Sequence, residues 1–485
     1  MKRHGVAWCL SAILLCSAAA RPATAVADDY GLPALGDASS AISPMEEFRL
    51  GRAWLRQFRA QTISWRDPIT RHYVEDLIHR MMPWSGLGNE RIVVTLVSSR
   101  MLNAFAVPGG VIGINTGLFA FAPDRDTFAS VLAHEMGHLS QHHFARQLEQ
   151  QHASRVPMLT ALLTGMVLAA GGGGGGDLGV AAVMGTQAAY IQNLLTYSRQ
   201  YEREADDVGL RTLANAGMDP HAMPRMFRIL QRLASLQGST PPEFLLTHPL
   251  TETRISTTEA RADQLGHGHG PPAGPLYDMV RARVLLAMHM DDPAQARHRL
   301  EEDDPSPEAL AYLDAMTDAV EHRTDKALTG LDRLITRYPD LSMLQNSAAD
   351  VALDANRFNE ALARSRRLLA IVPDNTPARL IEGEALLNLA PSKAYPVLEK
   401  LSEQRPEDPD VWNLLAEAAG RSGHSAEGHL ALAEQLQLTG RIDKGMKQLD
   451  IAEGEATRAG NYTLASRIRA RRDAFMRYRS ALDDF

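Results

Sequence analysis

The chain has 485 residues, which is enough for two or more domains, each with a core of its own. Hydrophobic residues make up 45% of the sequence and charged residues 22%, a balance that excludes a chain disordered throughout its length. The formal net charge of −8 excludes the strongly basic character of many nucleic-acid-binding proteins, and we expect no nucleic-acid partner.

The N-terminal residues have the pattern of an export signal. Lys2 and Arg3 precede an apolar run from about Val6 to Ala20, and Ala25-Val26-Ala27 provides a small-x-small cleavage site. The run is shorter than the roughly 20 apolar residues that a membrane-spanning helix needs, which argues against a membrane anchor. We predict that residues 1–27 are a cleaved signal peptide and that the mature chain is exported.

The two cysteines of the sequence, Cys9 and Cys16, both lie within this signal peptide. The mature chain is then predicted to contain no cysteine, which excludes the disulfide bonds that an exported protein could otherwise form. A cysteine nucleophile is excluded for the same reason.

Residues 28–265 combine predicted helices with a small strand region. Ser43-Pro44-Met45-Glu46 begins a helix, because a capping serine is followed by proline at the first helical position and by glutamate three residues after the cap. Asp67-Pro68 begins a second helix. Arg91–Ser98 and Val111–Asn115 are rich in β-branched residues and are predicted strands. The segment from about Arg125 to Gln150 has apolar residues at helical spacing and is predicted to be one long helix.

Val111–Asn115 is also our candidate for the strand that pairs with an extended substrate. Main-chain pairing gives affinity without demanding a particular side-chain sequence. The alternative is an internal strand of the sheet, which has no free edge.

An uncharged stretch follows, in which six glycines at 171–176 separate two apolar arms within residues 156–197. We predict an apolar helical hairpin that is mobile at its glycine tip and touches a membrane surface or an unfolded client. The alternative is a pair of membrane-spanning helices, but the first arm is short and the second contains several polar residues.

Residues 266–275 form a predicted linker rich in glycine, histidine and proline, in which we expect His267 and His269 to be solvated and without a role. Residues 276–485 are predicted to be helical throughout. Prolines recur there at intervals of 34, 34 and 33 residues, at Pro305, Pro339, Pro373 and Pro406. A small residue stands 12 positions before three of these prolines, at Ala327, Ala361 and Ala394. This period predicts tetratricopeptide repeats, which stack into a superhelix that binds peptides or proteins.

The chemistry is predicted at His134-Glu135-Met136-Gly137-His138, inside the long helix. Residues four apart share one face of a helix, so both imidazoles can reach a single metal ion. Glu135 stands beside them, where it can hold a water molecule. Zinc lowers the pKa of bound water to roughly 7, and we predict that Glu135 is the general base.

A catalytic zinc has three protein ligands and one open position, so a third ligand is required. His142 lies about 12 Å along the helix from His134 at 1.5 Å per residue, too far to share one ion. We interpret His142 and His143 as structural or solvated. Two acidic residues further along the chain, Glu202 and Glu204, are the remaining candidates. Spacing alone leaves the choice between them open, and we expect Glu204 to face elsewhere and to be solvent-exposed.

The HExxH helix followed by the E-x-x-A-D motif at 202–206 resembles the HtpX-type and CAAX-prenyl-endopeptidase family of zinc peptidases. In that family the first glutamate of E-x-x-A-D is a metal ligand. The resemblance therefore implies one zinc ion held by His134, His138 and Glu202, with Asp206 as an acid that orients a ligating imidazole.

Further segments resemble the same family. Asn103-Ala104-Phe105-Ala106 is similar to its strand region, and Thr247-His248-Pro249 with Arg254-Ile255 is similar to its motif after the third ligand. The resemblance gives His248 two functional roles, a removable fourth zinc ligand that keeps the enzyme latent or a stabiliser of the oxyanion. A histidine that caps or packs beside Pro249 is the third interpretation.

With the signal peptide and the repeats, the resemblance narrows to periplasmic proteases of outer-membrane assembly. It implies an endopeptidase and chaperone that acts on unfolded or stalled outer-membrane proteins and contacts the barrel-assembly machinery. The rivals are a chaperone or scaffold with a latent zinc site, and a membrane-embedded protease. The expected fold is mainly α: an α-rich zincin metallopeptidase domain with a small β-sheet at 28–265, followed by a tetratricopeptide superhelix at 276–485.

Overall fold

Helices make up most of the chain in the computed structural model, which describes residues 43–88, 91–150, 198–236, 242–268, 270 and 273–483. The predicted signal peptide at 1–27 lies outside the described residues, as do His269 and the whole of the predicted glycine-rich hairpin within 156–197. Among the described helices, none combines the length and the apolar character that a membrane crossing requires.

The first part of the described chain contains nine helices and three strands. The helices are α1 Pro44–Gln61, α2 Pro68–Ser85, α3 Thr116–Phe121, α4 Arg125–Ser140, α5 His143–Gln150, α6 Arg199–Asn215, α7 Ala222–Leu236, α8 Glu243–Thr247 and α9 Glu252–Leu265. The strands are β1 Val93–Val97, β2 Ala104–Val107 and β3 Val111–Asn115. The predicted capping box is present at α1, where the Ser43 side chain accepts from the Glu46 N–H and the Glu46 carboxylate accepts from the Ser43 N–H.

The prediction of a single long helix from Arg125 to Gln150 is wrong. The chain turns between α4 and α5, where His142 has a left-handed φ of 49°. The His142 N–H donates to the Leu139 carbonyl, and its imidazole lies 2.9 Å from Glu47 on α1. The turn ends the helix soon after the HExxH segment and sends α5 in a new direction.

The three strands form one sheet in the order β1-β3-β2. β3 pairs in parallel with β1, with Val93 opposite Val111, and antiparallel with β2, with Val107 opposite Val111. Because β3 is the central strand, both of its edges are occupied, and the prediction that it pairs with a substrate is wrong. β2 is an outer strand, and it packs beside α4.

The second part of the described chain consists of twelve helices that pack consecutively in antiparallel pairs. They are α10 Leu276–Met288, α11 Pro293–Glu301, α12 Pro307–Val320, α13 Thr324–Arg337, α14 Ser342–Asp354, α15 Phe358–Ile371, α16 Thr376–Leu389, α17 Pro391–Gln404, α18 Pro409–Arg421, α19 Ser425–Leu438, α20 Ile442–Arg458 and α21 Tyr462–Asp483. The predicted mainly α fold is confirmed.

The repeat residues have the packing expected of them. Ala327, Ala361 and Ala394 are fully buried, where paired helices approach closely. Pro339 and Pro373 each follow the end of a second helix by two residues, since proline cannot donate the next helical hydrogen bond.

The repeat array is not separate from the first part of the chain. The buried Tyr277 and Arg281 of α10 donate hydrogen bonds to carbonyl oxygens of Ala122 and Phe119 beside α3. At its other end the array folds back onto α1 and α2. We call this second contact the closing interface; its main polar pairs are Arg52 with Glu407, Arg56 with Gln437, and Arg71 with Asp408.

Candidate metal centre

The site depends on a close approach of α4 and α6. A Cβ atom added at Gly137 would lie 2.8 Å from the Ala205 carbonyl oxygen, and one added at Gly209 would lie 3.2 Å from the backbone nitrogen of His134. Any larger residue at these positions would push the two helices apart. The glycine within the HExxH segment therefore lets α6 bring its first turn to the face of α4 that carries the two histidines.

Four buried side chains converge between α4, α6 and the residue after α8. His134 Nε2 lies 3.0 Å from His138 Nε2 and 3.6 Å from Glu202 Oε2. Glu202 Oε1 lies 3.4 Å from His138 Nε2 and 3.0 Å from His248 Nδ1. One ligand atom from each of the four lies within 4.8 Å of those of the other three.

This arrangement fits a metal ion. Zinc bonds of ~2.0–2.1 Å place tetrahedral donors about 3.3–3.4 Å apart, close to the observed separations. The protonation states of His138 and Glu202 agree as well. Burial holds the pKa of His138 well below its usual value, so its imidazole is neutral. Burial acts to raise the pKa of Glu202, but the charges of His248 and Arg254 outweigh it and keep that carboxylate ionised.

Glu135 lies beside the four donors and is buried. Its carboxylate accepts from the backbone N–H of Ala106 on β2, and its Oε1 lies 3.6 Å from His248 Nε2. Oε1 makes no hydrogen bond to any residue that the structure describes. Burial raises the pKa of Glu135 above its usual value, and the neighbouring His248 and His134 oppose the rise. The free oxygen and the raised pKa suit a group that takes up a proton.

Asp206 and Arg254 contact two of the four clustered side chains, His134 and Glu202, and hold them in position. Asp206 Oδ1 lies 3.0 Å from His134 Nδ1, the nitrogen that faces away from the other donors. Arg254 on α9 donates to both oxygens of Asp206, at 2.8 and 2.7 Å, and lies 2.6 Å from Glu202 Oε2. The sequence motif contained Arg254 but gave it no role; here it fixes the two carboxylates relative to each other.

His143, predicted to be structural or solvated, has a structural position. Its Nδ1 lies 2.9 Å from His138 Nδ1, and its Nε2 lies 3.1 Å from Glu204 Oε2. Arg146 also donates to Glu204. The expectation that Glu204 is solvent-exposed is wrong, because it anchors the histidine that orients His138. His142, by contrast, takes no part in the cluster and pairs with Glu47.

His248 is the C-terminal cap of α8 and stacks on Phe244, with ring centroids 4.5 Å apart. Its Nδ1 also lies 3.3 Å from His134 Nε2, within the group of donors. Burial lowers its pKa, but the charges of Glu202 and Glu135 outweigh this effect and raise it. The geometry therefore places His248 both in a packing contact with Phe244 and among the side chains that could hold a metal.

Comparisons with known proteins agree with this site. The model of peptidase family M48 matches residues 68–262, and a tetratricopeptide repeat model matches residues 352–418. A protein of Vibrio cholerae is 32% identical over 90% of this chain and 90% of its own length. The β-barrel assembly-enhancing protease of Escherichia coli is 29% identical over 94% and 93%. The human mitochondrial metalloendopeptidase OMA1 is 26% identical over 46% of this chain and 44% of its own.

Proposed function

We propose, because the chain belongs to peptidase family M48 and to its β-barrel assembly-enhancing proteases, that it is a periplasmic zinc endopeptidase and chaperone for outer-membrane β-barrel proteins. It degrades misassembled barrels or assists their assembly, in contact with the barrel-assembly machinery. The observation that carries this proposal is the buried group of four side chains that could hold a metal, beside Glu135, whose Oε1 has no hydrogen-bond partner among the described residues.

His134, His138 and Glu202 hold one zinc ion in this proposal. The two imidazoles and the carboxylate are the donor set of many catalytic zinc sites, and Asp206 at 3.0 Å fixes the ring of His134. When bound, zinc supplies positive charge that polarises the scissile carbonyl.

Glu135 is the general base. Its Oε1 accepts the proton of the attacking water, and the same carboxyl group then protonates the leaving amine. The raised pKa brings the base closer to neutral pH, where proton uptake and release are both accessible.

His248 keeps the site latent by acting as a fourth donor. Its distances of 3.0 Å to Glu202 and 3.3 Å to His134 support this role. A catalytic site needs one position open to substrate, so His248 must leave the group before catalysis. The short α8 and its following loop carry this histidine, which makes a local movement sufficient.

An extended substrate pairs with β2 rather than with the central β3. β2 is an outer strand, and its Ala106 lies next to Glu135, so a peptide added there would cross the front of the metal centre. The repeat array would bind the rest of the client, as the concave faces of such arrays do.

The domain organisation remains the one predicted: a signal peptide at 1–27, a peptidase domain at 28–265, a linker at 266–275 and a repeat domain at 276–485. The end of α9 at Leu265 and the start of α10 at Leu276 support the last two boundaries. Peripheral membrane contact would rest on the hairpin within 156–197.

The test uses the mature protein, residues 28–485, with an unfolded outer-membrane β-barrel protein as substrate. We expect Glu135→Gln to retain the zinc ion of this site and to lose cleavage, and Glu202→Ala to lose the zinc ion of this site. Glu204→Ala leaves all three proposed ligands in place and should still bind zinc at this site, with weaker affinity because Glu204 anchors the histidine that orients His138. Zinc retained in Glu202→Ala and lost in Glu204→Ala would overturn the ligand assignment. Cleavage by Glu135→Gln would overturn the proposed base and leave a chaperone with a dormant site as the alternative.

A further inference from the structure

A second group of metal-binding side chains lies on the surface, away from the first. Asp219 and His221 come from the loop between α6 and α7, and His267 comes from the segment after α9. Their ligand atoms all lie within 4.8 Å of one another. The His267 side chain is 86% exposed, as expected for a solvated residue, but it stands beside a preformed Asp–His pair.

The distances suit a single ion. Asp219 Oδ1 lies 3.0 Å from His221 Nδ1 and 3.7 Å from His267 Nδ1. These values bracket the separation of about 3.3–3.4 Å that follows from tetrahedral zinc with bonds of ~2.0–2.1 Å. The two imidazole rings lie 4.7 Å apart between centroids, so only a small rotation of the exposed ring is needed.

The groups behind these donors are arranged as around a metal. His221 Nε2, the nitrogen that does not face the cluster, lies 3.0 Å from Asp263 Oδ1 on α9. A ligating histidine commonly has such a carboxylate on its second nitrogen, which fixes the ring and its tautomer. Arg225 donates to the other oxygen of Asp219 at 2.6 Å. Oδ1 faces the histidines and also accepts from the backbone N–H of His221 at 3.1 Å.

The chain after α9 is held against the α6–α7 loop by backbone contacts that only glycine permits. A Cβ atom at Gly268 would lie 2.4 Å from the Met218 carbonyl carbon, and one at Gly270 would lie 2.4 Å from the Gly217 oxygen. The Gly270 N–H donates to that oxygen at 3.0 Å. These contacts lie directly after His267 in the chain and bring it to Asp219, so the position of the histidine follows from backbone packing.

We propose that Asp219, His221 and His267 bind a second zinc ion, which ties the segment after α9 to the loop before α7. Two imidazoles and one carboxylate form a nitrogen-rich donor set that zinc accepts and that magnesium and calcium, which prefer oxygen ligands, do not. Water completes the coordination at this exposed position. The ion would stiffen the connection between the peptidase domain and the repeat array.

Zinc counting tests the site. The mature protein, equilibrated with micromolar free Zn²⁺, should hold about two ions, and His267→Ala or His221→Ala should hold about one. His298→Ala is the matched control, because His298 is 79% exposed beside Glu302 but lies outside the cluster, and it should still hold two. Asp263→Asn should weaken the second site about 10–100-fold. Mg²⁺ in place of Zn²⁺ should not occupy it.

Two further results keep this proposal separate from the catalytic one. Glu202→Ala should bind about one ion, and adding His267→Ala should remove it. At free zinc ten times the dissociation constant of the second site, cleavage within residues 266–275 by an added protease should slow about tenfold. One ion in the wild-type protein, or two retained in His267→Ala, would overturn the proposal.

Discussion

Replacing Gly137 with alanine should weaken zinc binding without touching any ligand. The new Cβ would lie 2.8 Å from the Ala205 carbonyl oxygen and 3.0 Å from its Cα, both in the backbone of α6. Backbone atoms cannot rotate away as a side chain can. The two helices must therefore separate by about 0.5 Å to restore ordinary contact in a close-packed interior.

That separation moves Glu202 away from the two histidines of α4. Metal sites tolerate deviations of only about 0.2 Å in ligand distance, so we expect the dissociation constant for zinc to rise at least about tenfold. Overpacking costs ~1–3 kcal/mol, and the better helix propensity of alanine returns up to ~1 kcal/mol. The free energy of unfolding of the metal-free protein should then fall by about 1–2 kcal/mol.

The assay is zinc competition with a coloured chelator, together with urea unfolding of the metal-free protein. Gly454→Ala is the matched control: this glycine lies inside α20, and a Cβ there would meet no atom within 4 Å. We expect that variant to bind zinc normally and to gain about 0.5–1 kcal/mol of stability. Wild-type zinc affinity in Gly137→Ala would refute the argument that helix spacing sets the position of Glu202.

Three other predictions concern single side chains. Asp206→Asn removes the charge behind His134 and should weaken zinc binding about 10–100-fold in the same competition assay, while an unchanged affinity would remove its proposed role. His248→Ala should speed cleavage of an unfolded substrate and weaken zinc binding; no change in either would leave His248 a packing residue. Burial acts to raise the pKa of Asp408, but its contact with Arg71 outweighs this and holds the pKa below the usual value. Asp408 therefore contributes stability above the ordinary Asp pKa of ~3.9, and this contribution is lost as the pH falls through the lower pKa of the folded state. In Asp408→Asn the free energy of unfolding, measured with urea, should fall less steeply as the pH is lowered.

The sequence was sufficient for the elements whose signals are local. The HExxH spacing and the capping box at Ser43 each lie within one helix or at its end, and the 34-residue proline period links neighbouring repeats. The metallopeptidase family and the mainly α fold are confirmed. Glu202 was chosen over Glu204 only through the family resemblance, since spacing along one helix does not reveal which acid faces another helix.

The failures share a physical cause, which is that they depend on contacts between distant segments. Whether Val111–Asn115 lies at an edge of the sheet depends on which strands pair with it, and the sequence of this strand alone does not determine the order β1-β3-β2. The break after Ser140 follows from the turn at His142, whose imidazole binds Glu47 far back along the chain. Arg254 and His143 act through partners on other helices, so no local pattern could indicate their roles.

The closing interface has a consequence for how the molecule is made. Arg56 of the first helix binds Gln437, 381 positions further along the sequence, and the chain at Gly440 passes so close that a Cβ there would lie 2.6 Å from the Arg56 carbonyl oxygen. Contacts of such long range form slowly, because the intervening chain must be ordered first. A chain delivered N-terminus first therefore holds an uncovered α1 until its last repeats arrive. A chain truncated within the array would keep every zinc ligand but would lack the repeats that cover α1.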